Sequence, residues 1–328
     1  MNPPPFAAGG NWLLAGAAAK VDLVVRLRAA LEAAGLRLFA ADSSPLSAAL
    51  HFAHGSVVLP PTAHPDFLPR LLGFCARNDV RVLLPTRDAD LLHFAARRDE
   101  LLAANLWPLV SPLPSVEICL DKIRFHDFCL ARGLPVLPRI ANPSPADFPC
   151  FLRPRVGAAG SGAGPVPSAE ALRALHGPPP WPDLLLQPIC SAPEYTVDAL
   201  FAPDGSPAQW IARERIRVKA GESTVGRTVA IPALDDLVRS VARALPLFGH
   251  VTLQAFHSPA SGPFLVEINP RFGGGAALGI EAGLDSPARL VALAQGNLAE
   301  FLRPRPPRIG LAMLRYSRDI FLENLPTP

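Results

Sequence analysis

The sequence predicts an α/β layer followed by an antiparallel α+β block with two lobes. Three observations carry this. Apolar strands alternate with helices to about residue 112, which argues for a parallel βαβ layer. Beyond about residue 113 the strands follow one another with short turns. Late in the chain, VTLQAF and FLVEIN flank the turn cluster HSPASG and read as a hairpin.

In order, NWLLAG is a short strand and VDLVVRLRAALEAAG an amphipathic helix that Gly35 stops. LRLFAAD is a second strand ending at Asp42, and GSVVLP a third. FLPRLLGFCARND is helical, and RVLLPTRDAD is a further strand and turn. The turn after the first strand reads GAAAK, so the glycine pattern for a dinucleotide pyrophosphate is absent there. Asp88 and Asp90 sit at a strand end. They read either as the cap of a solvated helix or as groups facing a ligand.

SVEICLDKIRFHDFCLARGLP reads as one helix ended by Gly133. FPCFLRPRVGAAGSGAG places a strand before a glycine-rich loop, and LLLQPI is a buried strand. EYTVDALFAPDG and QWIARERIRVKAGES alternate as strands, LDDLVRSVARALPLFG is an amphipathic helix, and LAMLRYSRDIFLE closes the chain with a strand or two.

Composition narrows the function classes. The 328 residues are 49% hydrophobic and carry a formal charge of only +3, too little to argue for nucleic acid or a membrane surface. The five cysteines are odd in number and scattered, with no metal spacing, which suits free thiols in a reducing cytoplasm. No apolar run is long enough to span a bilayer, and the start MNPPPFAAGG lacks a basic leader region. A cytoplasmic protein acting on small molecules is expected. Oligomeric state is open, a homodimer included.

The stretch PFLVEINPRFGGG carries the chemistry. Glu267, Asn269 and Arg271 occupy alternate positions of an otherwise apolar strand. If the hairpin is symmetric about Ala260 and Ser261, Gln254 stands opposite Glu267, with Cβ atoms roughly 4.5–5.5 Å apart. Gln254, Glu267 and Asn269 then form a cluster of oxygen donors suited to a hard divalent cation. GAAGSGAG lets backbone N–H groups turn toward an anion, or else is a flexible linker. Alternation from Arg213 to Lys219 puts four cations on one strand face, neighbours roughly 7 Å apart. That face is either fully wet or faces anions, because each adjacent pair repels by roughly 2 kcal/mol at an effective dielectric near 20.

EINPRFGGG, the Gln on the paired strand and FPCFLRPRVGAAGSG together resemble the ATP-grasp superfamily, specifically the branch of the carbamoyl-phosphate synthase large subunit. The resemblance covers roughly residues 113–300, and the layer ahead of it is similar to the domain that precedes an ATP-grasp module. It implies a Rossmann-like pre-ATP-grasp domain over 1–112, a small lobe over 113–186 and a large lobe over 187–328. It implies ATP and Mg²⁺ (or Mn²⁺) as cofactors. Lys122 and Arg153 would touch nucleotide phosphates, and Gly160, Ser161 and Gly162 would close over them. Gln187 and Ile189 would meet adenine, and Glu194 the ribose hydroxyls. Gln254, Glu267 and Asn269 would hold the metal. Arg271 would face the transferring phosphoryl group, with Arg215 and Lys219 near the chemistry.

The implied activity is carboxylate–amine ligation through an acyl phosphate. Two other readings stay open: a phosphorylating subunit like that of carbamoyl-phosphate synthase, and a non-catalytic ATP-binding regulator. Departures bear on these. Gln187 stands where this branch commonly has an acid, Pro188 lacks an N–H for adenine, and the length holds one ATP-grasp module, not two.

Overall fold

The computed structural model describes residues 4–18, 20–157 and 161–324. The N-terminal layer runs β1 (Asn11–Ala15), α1 (Val21–Ala33), β2 (Leu38–Asp42), β3 (Gly55–Val58), α2 (Phe67–Arg77), β4 (Val80–Pro85), α3 (Asp88–Ala96), α4 (Arg98–Ala103) and β5 (Trp107–Pro108). Its five strands are all parallel, in the order β3-β2-β1-β4-β5. The strands are apolar throughout because helices cover both faces. Along β1, Trp12 and Leu14 enter one core while Leu13 and Ala15 enter the other.

The stretch expected as one helix over 115–133 is two: α5 (Leu113–Leu120) and α6 (Lys122–Ala131). Asp121 is extended (φ −110°, ψ 105°), and its carboxylate caps α6 by accepting from the amides of Ile123 and Arg124. Arg155 also bonds this carboxylate at 2.8 Å, so a tertiary partner fixes the break. Cys119, Phe125 and Cys129 pack with Val197, Leu237 and Leu253 of the large lobe. Thus α6 and the end of α5, which the expected boundaries group with the small lobe, pack into the large-lobe core.

The small lobe is a three-stranded sheet, β7-β6-β8, built from β6 (Cys150–Pro154), β7 (Gly164–Val166) and β8 (Leu184–Pro188), with α7 (Ala169–His176) beside it. Because β8 includes Gln187, this sheet runs past the boundary expected at 186.

The large lobe adds β9 (Glu194–Phe201), β10 (Pro207–Lys219), β11 (Glu222–Val229), α8 (Pro232–Ala244), β12 (Gly249–Ser258), β13 (Gly262–Asn269), α9 (Ala276–Gly279), α10 (Ser286–Ala294), α11 (Leu298–Leu302) and β14 (Ala312–Leu314). Its six-stranded sheet has the order β13-β12-β9-β10-β11-β14. The closing strand expected over 311–323 is only the three residues of β14.

Register divides this sheet into two chemical faces. Ala212, Val197, Leu253 and Ile268 are cross-strand neighbours and pack against Leu234, Leu237 and Val241 of α8. The intervening positions put Arg213, Thr196, Gln254 and Glu267 in one row of the opposite face, and Asp198, Thr252 and Asn269 in the next. The core of the N-terminal layer is continuous with Leu200, Ile211, Phe248, Ile280 and Leu290. That shared core includes α1 and Phe272 of the Arg271–Gly275 loop, and Asp88 at the start of α3 bonds Arg271. No helix among the described residues is long and apolar enough to cross a membrane.

Candidate functional site

Gln254 lies directly across the β12–β13 ladder from Glu267. The register slips between Gln254 and Ala255, leaving Val266 as the extra residue of a bulge. A bulge frees ladder groups and re-aims side chains. Here the Val266 carbonyl accepts from Arg153 of the small lobe at 2.9 Å, and the same guanidinium bonds the Glu267 carboxylate at 2.6 Å. The other Glu267 oxygen accepts from the Asn269 amide at 2.8 Å. The Gln254 side-chain amide makes no hydrogen bond with a described residue.

The chain of contacts continues into the N-terminal layer. Arg271 donates to Asn269 Oδ1 at 3.3 Å and to Asp88 at 2.6 Å. Asp88 thus faces Arg271 from the first residue of α3. On the other flank, Lys122 donates to the Gly157 carbonyl at 2.8 Å. Burial first, and then the Arg153 cation, pull the Lys122 ammonium below its ordinary range. Of the glycine loop, Gly160 lies outside the described residues. Ser161 is exposed. Gly162 has φ +69°, and a Cβ there would come 3.1 Å from Pro154, so only glycine fits without strain.

Glu194 pairs Arg215 at 3.1 Å. Burial pushes the Glu194 carboxyl up; Arg215 pulls against that, and the like charge of Glu267 adds to it. Across β12, Glu194 neighbours Phe256, which neighbours Phe264. These residues extend the polar face into an aromatic platform. An open cleft of about 470 Å³ beside it is lined by Leu137, Ile189, Cys190, Pro193 and Phe264 among others. A second cleft, of about 640 Å³, lies along Ile140, Phe148 and Pro188 and touches none of the charged groups above.

Three expectations are corrected. The four cations of β10 do not share one face: the ladder slips twice around Arg217, so Ile216, Arg217, Val218 and Lys219 all stand in solvent. Lys219 sits at the hairpin tip, its side chain without an ion pair or hydrogen bond to a described residue. Arg213 is buried and paired with Asp198 at 2.8 Å, so it is no free anion receptor. Arg215 remains at the site, held by Glu194 and the Gly221 carbonyl. Gln187 is not free for a base either, because its amide donates to the Leu137 carbonyl at 3.0 Å and the residue is 8% exposed. Ile189, by contrast, is half-exposed at the cleft.

Sequence reasoning missed the layer beneath the site. Asp198 is fully buried between Arg213, His250 and Thr252. Burial alone would raise its carboxyl, but Arg213 and His250 outweigh that and hold it well below the carboxylate range. Thr252 accepts from the Gly273 amide and donates to the Arg271 carbonyl, at 3.1 Å each. These bonds seat the Arg271 loop on the sheet. A lone acid inside the apolar run TVDALF was the available signal.

The donor set can be tested against a metal. Glu267, Asn269 and Gln254 offer a carboxylate and two amide groups, all oxygen donors, and the Gln254 amide is uncommitted. That chemistry fits a hard cation such as Mg²⁺. No cluster of three His, Cys, Asp or Glu occurs among the described residues, so a zinc-type centre has no support there.

Comparisons with known proteins bear on the domains and the fold. Residues 180–315 match the family model described as ATP-grasp in the biosynthetic pathway with Ter operon. Residues 12–109 match that of a PylC-like N-terminal domain. No curated protein sequence matches the chain. Among solved structures, pyruvate carboxylase of Rhizobium etli is similar at a TM-score of 0.71 and 15% identity, over 92% of this chain and 30% of that one. The chain thus spans under a third of that carboxylase. N5-carboxyaminoimidazole synthetase of Staphylococcus aureus complexed with ADP gives 0.70 at 13% identity, over 94% and 82%. The L-amino acid ligase of Bacillus licheniformis gives 0.66 at 17%, over 90% and 78%. Identities this low speak for the fold. The two domain matches identify an ATP-grasp domain over residues 180–315, preceded by a PylC-like N-terminal domain over 12–109.

Proposed function

We propose that this protein is an ATP-dependent carboxylate–amine ligase. It would phosphorylate a small-molecule carboxylate with ATP and pass the acyl group to an amine. One observation carries the reading: Gln254, Glu267 and Asn269 share a face with Arg153 from the small lobe and Arg271 from the adjoining loop. Phosphoryl transfer asks a protein mainly for positioning and charge neutralisation, and that is what this inventory offers. The buried cysteines are no nucleophiles: burial pushes the Cys75 and Cys129 thiols up to about 12.

The roles follow from position. Phe256, Phe264 and Ile189 are suited to receive adenine in the apolar cleft, with Glu194 near enough to accept from a ribose hydroxyl. Lys122 and Arg153 would neutralise phosphate oxygens beneath the glycine loop. Nucleotide entry would separate Arg153 from Glu267, freeing the carboxylate as the guanidinium turns to phosphate. Glu267, Asn269 and Gln254 would hold Mg²⁺ or Mn²⁺, which when bound would supply charge neutralisation for phosphoryl transfer. Arg271, steadied by Asp88, would face the acceptor carboxylate, and Arg215 would support Glu194 behind it. Lys219 is left without a role.

The neighbours' names support this class: one is an amino acid ligase, and a 2-oxoglutarate carboxylase domain is described with MgADP and bicarbonate. A phosphorylating role like that of carbamoyl-phosphate synthase would need bicarbonate and ammonia but no organic acid. Free thiols at all five cysteines support a reducing compartment such as the cytoplasm. The test is pairwise screening of amino acids and small acids for phosphate release from ATP with Mg²⁺. Release that requires both an acid and an amine supports the ligase. Release with bicarbonate and ammonia alone, or tight ATP binding without turnover, contradicts it.

A further inference from the structure

The three glycines that follow Phe272 each meet a different side chain. An added Cβ would fall 2.9 Å from the Thr252 hydroxyl at Gly273, 2.7 Å from the Arg213 guanidinium at Gly275 and 2.1 Å from the Glu222 carboxylate at Gly274. Thr252 and Arg213 belong to the sheet that seats the loop. Glu222 comes from the tip of the β10–β11 hairpin. Arg315, the residue after β14, completes this contact. It bonds Glu222 at 2.5 Å and donates to the Gly274 carbonyl. Its own amide donates to the Thr224 carbonyl at 2.8 Å, so pairing with β11 sets where the side chain begins. Gly274 is thus held at its Cα by one distant segment and at its carbonyl by another.

The hairpin tip has a second tie. Arg215 donates to the Gly221 carbonyl at 2.9 Å and pairs Glu194 at 3.1 Å. One tip therefore touches Arg215 through Gly221 and the Arg271 loop through Glu222. Stability does not explain the outer bridge. The Arg315 and Glu222 side chains are 33% and 48% exposed, and ion pairs that exposed contribute little. What sets this pair apart is its third partner, a backbone carbonyl within a run of glycines. Glycine has the most backbone freedom to lose, so a run of three needs contacts from outside to keep one conformation.

We propose that Arg315 is a positioning residue. Steadied by Glu222, it locks the Gly274 peptide and so fixes the direction in which Arg271 presents its guanidinium. The segment that follows β14 is then a strap over the Arg271 loop. This rests on the ligase reading, in which Arg271 faces the acceptor carboxylate. Asp88 holds the guanidinium itself, and Arg315 holds the backbone that carries it.

The test has two arms, each on the full chain carrying Arg315→Met or Arg315→Lys. Hydrogen exchange read by mass spectrometry follows the peptide that spans the Arg271–Gly275 loop, with no substrate present. Exchange there should be about tenfold faster in Arg315→Met, the scale of one lost charge-assisted bond, and close to wild type in Arg315→Lys. Steady-state kinetics with ATP, Mg²⁺ and the acid–amine pair found for wild type is the second arm. Turnover should fall by about tenfold in Arg315→Met while the KM for ATP holds, and Arg315→Lys should restore most of it. The urea midpoint should stay at the wild-type value in both variants. Loop exchange or turnover equal to wild type in Arg315→Met overturns the inference, as does a loss of turnover matched by a fall in the urea midpoint. Absence of turnover by wild type with any acid and amine would instead overturn the ligase reading. The two failures are distinct because loop exchange is read without substrate.

Discussion

Arg153 of the small lobe and Glu267 of the large lobe are joined at 2.6 Å, with Arg153 only 10% and Glu267 25% exposed at the side chain. The pair spans the two sheets at the point where the phosphates of a nucleotide would enter. Arg153→Met should therefore weaken ATP-analogue binding by about tenfold or more, the scale of a charge-assisted hydrogen bond. Fluorescence titration with a labelled analogue reads this directly. Unchanged affinity would mean that the pair only clasps the lobes together.

Arg271 depends on Asp88 for its direction. Asp88→Asn keeps a hydrogen-bond acceptor but removes the charge, so turnover should fall by about tenfold while the KM for ATP holds. Steady-state kinetics on a confirmed acid–amine pair separates the two parameters. An equal loss in ATP affinity would place Asp88 in the nucleotide site instead.

Asp198→Asn leaves the buried Arg213 without its counter-charge, and breaking such a pair costs about 3–5 kcal/mol. Urea unfolding should show this loss at neutral pH. The pH dependence has a definite sign. The folded pKa of Asp198 is depressed, so its contribution is present above the unfolded value of roughly 3.9 and is lost as pH falls below that. The variant should lose less stability than wild type between pH 5 and 2, both numbers being rough bounds of that window.

Gly279 is helical, and a Cβ there would sit 2.7 Å from an Asp198 oxygen and 3.0 Å from its Cβ. Asp198 is fixed by Arg213, so neither side has room to yield. Gly279→Ala should destabilise by about 1–3 kcal/mol, as overpacking does. A denaturant midpoint equal to wild type would show that the helix shifts freely.

Much of this arrangement was legible in the sequence because strand alternation is a local code. The pairing of Gln254 with Glu267 follows from a hairpin whose turn and two apolar runs are adjacent, and the bulge at Val266 shifts only the lower rungs. The helix break at Asp121 was not legible, since Arg155, which fixes it, arrives from another lobe. Nor was the burial of Arg213, whose partner Asp198 lies on the neighbouring strand and comes near only through the β9–β10 register. The β10 alternation failed for a similar reason: the slips in its ladder depend on β11. Glu222 and Arg315 gave no local pattern because their two distant segments meet only in the folded chain.

The central claim is that Glu267, Asn269 and Gln254 hold the cation that accompanies the nucleotide. Electron paramagnetic resonance of Mn²⁺ with a non-hydrolysable ATP analogue reads this most directly. Wild type should sequester the ion in a ternary complex, and Glu267→Gln, folded normally by circular dichroism, should bind it about tenfold or more weakly for the loss of one charged ligand. Equal Mn²⁺ affinity in the two proteins would contradict the assignment.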